Sequence, residues 1–512
     1  MHLGIDIDTH TARAAYLDDQ GQPQQIFLPD GGVLPALVRQ TMHGLVVGQR
    51  AAQAIAGNGE TTVSGCVRLM GQAGRLPAQL VDRLPYAVRV VEGETVCNLL
   101  YAEVAISHIY ARLARALVEL AEQQLATSIG RVVLTIPARA EDRFRVQART
   151  AVEEQGLTVS RLINQPTAAL LAADLPARTR YVAVVHCGGG SIDVSLAERA
   201  EDDIRILATA GDLLLGGDDF AWQVAESLNQ RFQRVAQVDV FAADRSGAAA
   251  WGLRTAAEKV LQRLSLAPEM TLAIDHGGGF GRDLVTVIRQ GHIVDWLAPL
   301  LADVTALCRQ ALTNSGLTPA KIETILLTGD WAYLPWLRQT IADAFNQPVA
   351  RLQAADGSAL PVYGAALAGA AGRGTIWDVT PYPLGINCYY GRTELFSPII
   401  RANTPIPTPP VSAPNAFTES YQTRKRDQTE VQLDILQYRG LVDPDPTGPS
   451  PVKPKQCERL GSWTFAGLRP KKGQHADLTV TFSIDRDGIL HLSATETATG
   501  HQLTAQVDRG IG

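Results

Sequence analysis

Two stretches of this chain follow one plan, and their spacing constrains the fold more than any other feature. "LGIDIDTHTARAAYL" (Leu3–Leu17) and "VAVVHCGGGSIDVSL" (Val182–Leu196) each read as strand, tight polar turn, strand. They lie about 180 residues apart, and each opens a comparable run of alternating strand-like and helix-like segments. A turn of this kind aims several backbone N–H groups at one point, which suits the oxygens of a phosphate. A carboxylate at the end of each first strand is suited to Mg²⁺ or its waters. One such turn alone reads more readily as a ligand-free hairpin. The third segment of this type, "LAIDHGGGFGRDLVTV" (Leu272–Val287), has no mate placed to close a site and reads as an ordinary hairpin.

The rest of the first 372 residues fits an α/β domain. "RVVLTIP" and "ETILLTG" are short apolar runs bounded by turn residues, as buried strands are. "EDRFRVQARTAVEEQG" and residues 101–126 carry helical periodicity, with Gly156 as a C-terminal cap of the first. Around Trp377 the character changes. "TEVQLDILQY", "ADLTVTFSID" and "GILHLSATE" alternate polar and apolar residues between Pro- and Gly-rich breaks, which predicts an all-β sandwich. Residues 440–456 carry five prolines and read as an exposed irregular loop.

Composition excludes several classes. At 512 residues and 46% hydrophobic, the chain can bury more than one core. A net charge of −6 argues against a protein built for nucleic acid or an anionic membrane. No apolar run reaches the roughly 18 residues of a membrane span. The N-terminus enters a strand-like run at once, so no signal peptide is read there. Cys66, Cys97, Cys187, Cys308, Cys388 and Cys457 are scattered without metal-site spacing and read as reduced thiols of a cytoplasmic protein.

Two lobes around a nucleotide are the plan shared by actin, sugar kinases and heat-shock ATPases. Further segments single out one family. "VVLTIPARAEDRFRVQARTAVEEQGLTVSRLINQPTAALLAADL" (132–175) resembles the corresponding stretch of the DnaK-type heat shock protein 70 chaperones. "AGDLLLGGDDF" (210–220) is similar to their glycine pair beneath a phosphate, and "AAEKVLQRLS" (256–265) and "ILLTGDWAYLP" to their adenosine-contacting segments. "VYGAALAGAA", "DVTPYPLGI", "NTPIPT" and "DRDGILHLSA" continue the likeness in order into the β-domain, which sugar kinases and actins lack. The resemblance implies an actin-like nucleotide-binding domain over residues 1–373, a linker over 374–380, and a substrate-binding β-sandwich over 381–512. No helical segment follows the last strand of this sequence, where the family carries a lid. ATP or ADP with Mg²⁺ would be the cofactors, and unfolded polypeptide clients and co-chaperones the partners.

Carried over residue by residue, the resemblance makes Asp6 and Asp193 the catalytic and metal-side carboxylates. Thr9, His10, Gly188, Gly189, Gly190, Ser191, Gly216, Gly217, Glu258, Ser265 and Gly329 fall at its nucleotide positions. The departures cluster at the reaction centre. Asp8 stands where the first loop has glycine, and His10 replaces its second hydroxyl. Val67 takes the place of the catalytic lysine, with Arg68 beside it, and Gln165 and His186 replace two acids. Hydrolysis of a phosphoanhydride depends on positioning and charge neutralisation, so these losses imply a weak or absent ATPase. His10 and Arg68 are the candidates for replacement charge. The linker keeps only Ile376, Trp377 and Asp378, which puts coupling between the domains in doubt. Ile386, Tyr389, Tyr421, Val431 and Leu433 match the family's peptide pocket, although a sandwich core shows the same alternation. Two functions follow: a nucleotide-binding chaperone that holds apolar segments, or a non-catalytic regulatory scaffold using the same fold.

Overall fold

A computed structural model of the chain describes residues 1–53, 59–72, 76–200, 203–237, 239–242, 247–274, 284–353, 357–370, 375–440 and 451–506. It divides into two units. The first comprises Met1–Arg139, Ala148–Ile204 and Ala208–Gly374, the second Ala140–Gln147, Arg205–Leu207 and Thr375–Gly512.

The first unit is built from two sheets of matching design. In one, β1 (His2–Ile7), β2 (Thr11–Leu17), β3 (Pro23–Ile26), β4 (Arg131–Ile136) and β5 (Thr158–Asn164) take the order β5-β4-β1-β2-β3. In the other, β6 (Tyr181–Cys187), β7 (Ile192–Ala200), β8 (Asp203–Asp212), β9 (Thr324–Thr328) and β10 (Leu352–Gln353) take the order β10-β9-β6-β7-β8. In each, the first strand pairs antiparallel with the second and parallel with a later strand. The buried runs of β1 and β6 are what a central strand covered on both faces requires. This repeated topology brings the turns after β1 and β6 to matching places.

The helices include α1 (Ile106–Leu125), α2 (Asp142–Glu153), α3 (Gln165–Ala172), α4 (Gly217–Ala236), α5 (Ala248–Leu264), α6 (Gln290–Ser315) and α7 (Leu360–Ala368). Helix α1 turns Ile109, Leu113, Leu117 and Ala121 inward, at the spacing of one helical face. Helix α6 is long and apolar enough to cross a membrane by length and composition. It nevertheless buries Ile293, Leu297, Val304, Cys308 and Ala311 in the core that Trp222, Phe220 and Phe345 anchor. Gly156 follows α2 with φ +77 and its N–H on the Glu153 carbonyl, three residues beyond the helix end rather than at the cap itself. The strands Glu269–Ile274 and Leu284–Arg289 pair antiparallel as the third glycine-rich segment predicts, while its glycines lie outside the described residues. All six cysteines are free.

The second unit is a sandwich. Its strands are β11 (Ile376–Val379), β12 (Leu384–Tyr390), β13 (Thr393–Ile400), β14 (Pro405–Ile406), β15 (Phe417–Gln422), β16 (Glu430–Gln437), β17 (Glu458–Ala466), β18 (Asp477–Ile484), β19 (Leu490–Glu496) and β20 (Gln502–Gln506). One sheet runs β13-β12-β16-β17, the other β15-β18-β19-β20. Alternation sends Leu433 and Ile435 from β16, and Leu478, Val480 and Phe482 from β18, into one core. Ile376, Trp377 and Asp378 of the linker lie in β11, where Asp378 pairs with Ile406 of β14. Most of the proline-rich loop, 441–450, lies outside the described residues.

Candidate functional site

The turns after β1 and β6 meet, and their polar atoms are already engaged with one another. Asp8 is only 6% exposed. Its carboxylate accepts the N–H of Thr9 at 2.6 Å and, from the other loop, the N–H of Gly189 at 3.2 Å. The fit is close. A Cβ on Gly188 would lie 2.8 Å from an Asp8 oxygen, one on Gly189 2.6 Å from the His10 ring, and one on Gly190 2.3 Å from Thr9 Oγ1. These glycines are the residues that let two backbones approach, as a cradle for an anion needs.

Behind the turns lies a buried carboxylate layer. Asp6 accepts the Gln165 amide at 2.9 Å and the Thr135 hydroxyl. Asp193 accepts the Ser191 hydroxyl at 3.2 Å and sits opposite His186 in the β6–β7 register. Burial pushes the Asp6 carboxyl up, against the Gln165 and Thr135 hydrogen bonds, and pushes Asp193 up to about 6 against the attraction of His186. Thr9 Oγ1, both ring nitrogens of His186 and one Asp193 oxygen are buried without a hydrogen-bond partner. The His186 ring is 4.0 Å from the Asp8 carboxylate.

An arginine network surrounds the loops. Arg68, on the short helix Cys66–Leu69, donates to both oxygens of Asp219 at 3.0 and 3.1 Å and to Asp218 at 3.3 Å. Arg83 reaches Asp219 at 3.0 Å. Arg254 of α5 holds Asp218 at 2.6 Å and Glu258 at 2.8 Å, and touches His10 at 3.2 Å. Burial opposes ionisation of Asp218, but Arg254, His10 and Arg68 hold it well below the usual carboxylate range. Arg13 and Thr11 both grip Asp330 at 2.5 Å.

The sequence expectations land in this site unevenly. Asp6, Thr9, His10, Gly188, Gly189, Gly190, Ser191 and Asp193 come together as one cluster. The amides of Gly216 and Gly217 open α4 and are taken, by Asp219 at 2.9 Å and the Gly188 carbonyl at 3.0 Å. A Cβ on Gly217 would overlap the indole of Trp331, so this glycine seats a tryptophan. Glu258 serves Arg254, and the Ser265 hydroxyl returns to the Leu261 carbonyl. Gly329 needs its φ of +91 and passes over the Cys187 backbone. Arg68 was a candidate replacement cation, but Asp218 and Asp219 neutralise it. His10 is another, but burial and the neighbouring Arg254 lower its pKa, which disfavours the charged ring. Sequence reasoning missed the roles of Asp218, Asp219, Arg254, Asp330 and Trp331. The adjacent acids of "GGDDF" were the one signal that a cation would be held there.

The cluster fits an anion. The glycine cradle is intact, yet among the described residues no three Asp, Glu, His or Cys side chains are grouped to hold a metal ion.

In the sandwich, Ile386 and Leu433 are buried in the core. Tyr421 and Val431 pack half-buried against that core, and Tyr389 is 43% exposed. The Tyr421 hydroxyl meets Ser397 at 2.9 Å, and the Arg424 guanidinium lies 4.0 Å over the Tyr389 ring.

An α/β unit with two like-ordered sheets and facing phosphate-type turns, joined in sequence to a β-sandwich, defines a two-lobed actin-like ATPase fold with a sandwich domain. The family model described as Hsp70 protein matches residues 2–511. The chain belongs to the Hsp70 family. It is 29% identical to the chaperone protein DnaK of Thermus thermophilus over 99% of this chain and 80% of that protein. It is also 28% identical to the chaperone protein HscA of Yersinia pseudotuberculosis, over 94% of this chain and 70% of that protein.

Proposed function

We propose that this chain is a nucleotide-binding chaperone that holds extended apolar polypeptide, with ATP hydrolysis weak or lost. The observation that supports holding is the set Tyr389, Tyr421 and Val431, apolar groups within reach of solvent beside the buried Ile386 and Leu433. An extended peptide adds backbone hydrogen bonds along a strand and inserts a side chain between such groups. Support for weak hydrolysis lies in Val67, which carries no charge, next to an arginine already neutralised by Asp218 and Asp219. ATP or ADP, with Mg²⁺ held through water, would enter between the turns at Thr9 and Gly188–Gly190. Co-chaperones and a cytoplasmic setting follow from the family.

Fluorescence anisotropy of a short Leu-rich peptide with the full chain tests this. Val431→Arg should weaken binding at least tenfold, because it buries an unpaired charge against the groove. A second reading, a non-catalytic scaffold, draws support from the self-paired polar centre around Asp8, Arg68 and Arg254. Failure of the natural chain to bind peptide at high micromolar concentration would favour that scaffold.

A further inference from the structure

The cradle is not simply open for a phosphate. We infer that the carboxylate of Asp8 is its built-in occupant, and that a nucleotide phosphate enters only by displacing it. The inference rests on the nucleotide reading above and concerns what opposes binding at that site.

Three observations carry it. Asp8 reaches from one turn to the other, accepting the Gly189 N–H across 181 residues of sequence as well as the N–H of its neighbour Thr9. These are amides of the kind that bind a phosphate oxygen, and an ionised carboxylate satisfies them in the same way. The contact is also tight, since both Asp8 oxygens lie within 3.1 Å of where a Gly188 Cβ would be. A phosphate cannot share that space.

Next, polar atoms beside the carboxylate are left over. Thr9 Oγ1 and both His186 nitrogens are buried and unpartnered. Buried polar groups normally find partners. Here they mark a seat that Asp8 only partly fills, and they could serve an entering anion once it moves.

Finally, the positive charge that would favour a phosphate is committed elsewhere. Arg68 is held by Asp218 and Asp219, Arg254 by Asp218 and Glu258, and Arg13 by Asp330. An incoming phosphate thus meets Asp8 as an uncompensated like charge, which disfavours it strongly at contact distance. The same residue then acts as a selector. It sets how much nucleotide the chain requires before its two loops exchange an internal anion for an external one.

The test is calorimetric titration of the full chain with ADP, with and without Mg²⁺, comparing natural protein with Asp8→Gly and Asp8→Asn. Removing a charged hydrogen-bonding competitor should tighten ADP about 10- to 100-fold in Asp8→Gly. Asp8→Asn keeps the shape and an acceptor oxygen but loses the charge, and should show a smaller gain. If Asp8→Gly fails to fold, the gain in Asp8→Asn decides the matter. A natural chain that binds ADP as tightly as the folded variants overturns the inference while leaving the nucleotide reading intact. If no form binds millimolar ADP, both fall.

Discussion

Asp193 shows how much one buried side chain can say about this centre. It is fully enclosed, and burial raises its carboxyl from 3.8 to about 6, with His186 pulling the other way. Its folded pKa exceeds its unfolded value, so the folded state binds the extra proton between those two pH values. The stability this group contributes is complete below about pH 4 and is lost as pH rises through 6, changing little above that. Asp193→Asn removes the titration. The natural chain should therefore lose on the order of 2–3 kcal/mol between pH 4 and 7 that the variant keeps. Urea-unfolding midpoints at pH 4.5 and 7 measure the difference, and parallel profiles would exclude Asp193 as the group. The same local chemistry explains why Gln165 suits its place: a neutral amide donates to Asp6, where a second acid would repel it.

Helices α3 and α7 meet at a glycine, and this contact depends on having no side chain. A Cβ on Gly364 would lie 1.8 Å from the Ala168 carbonyl oxygen, so Gly364→Ala must push the helices apart. The expected loss is about 1–3 kcal/mol, as for overpacking in a core. Gly252, inside α5, is the counter-example: a Cβ there meets nothing within 4 Å. Gly252→Ala should stabilise by about 0.5–1 kcal/mol, because alanine loses less backbone freedom in a helix. The two substitutions are chemically identical, and denaturant midpoints should move in opposite directions. Two shifts of one sign would contradict the packing described.

Across the whole chain, the fold of an ATPase is retained around a centre whose arginines are paired with neighbouring acids. Hydrolysis should be far slower than in an ordinary family member. Val67→Lys with Gln165→Glu and His186→Asp, made together with Asp8→Gly, should raise steady-state phosphate release. Single electrostatic groups of this kind are worth about 10²–10³ in rate, and their effects within one site do not simply multiply. A rise of at least tenfold is expected. A natural chain already turning over at the ordinary family rate would refute the reading of these four positions.

Much of this was legible along the chain. Apolar runs, period-two alternation and glycine placement are properties of neighbouring residues, so the paired strand–turn–strand segments, the change to β structure after Trp377 and the strands of the sandwich could be read directly. Even the unusual residues, Asp8, Val67, Gln165 and His186, were visible as departures from a pattern. What they do was not. Whether Asp8 faces solvent or accepts the Gly189 amide depends on two turns meeting across 181 residues. Whether Arg68 is a free cation depends on Asp218 and Asp219, about 150 residues away. Alternation along β16 put Val431 and Leu433 on one face, but only packing buried Leu433 and left Val431 at the rim. Periodicity is local and survives in sequence. Charge compensation and burial belong to pairs of distant residues, and tertiary structure alone chooses those pairs.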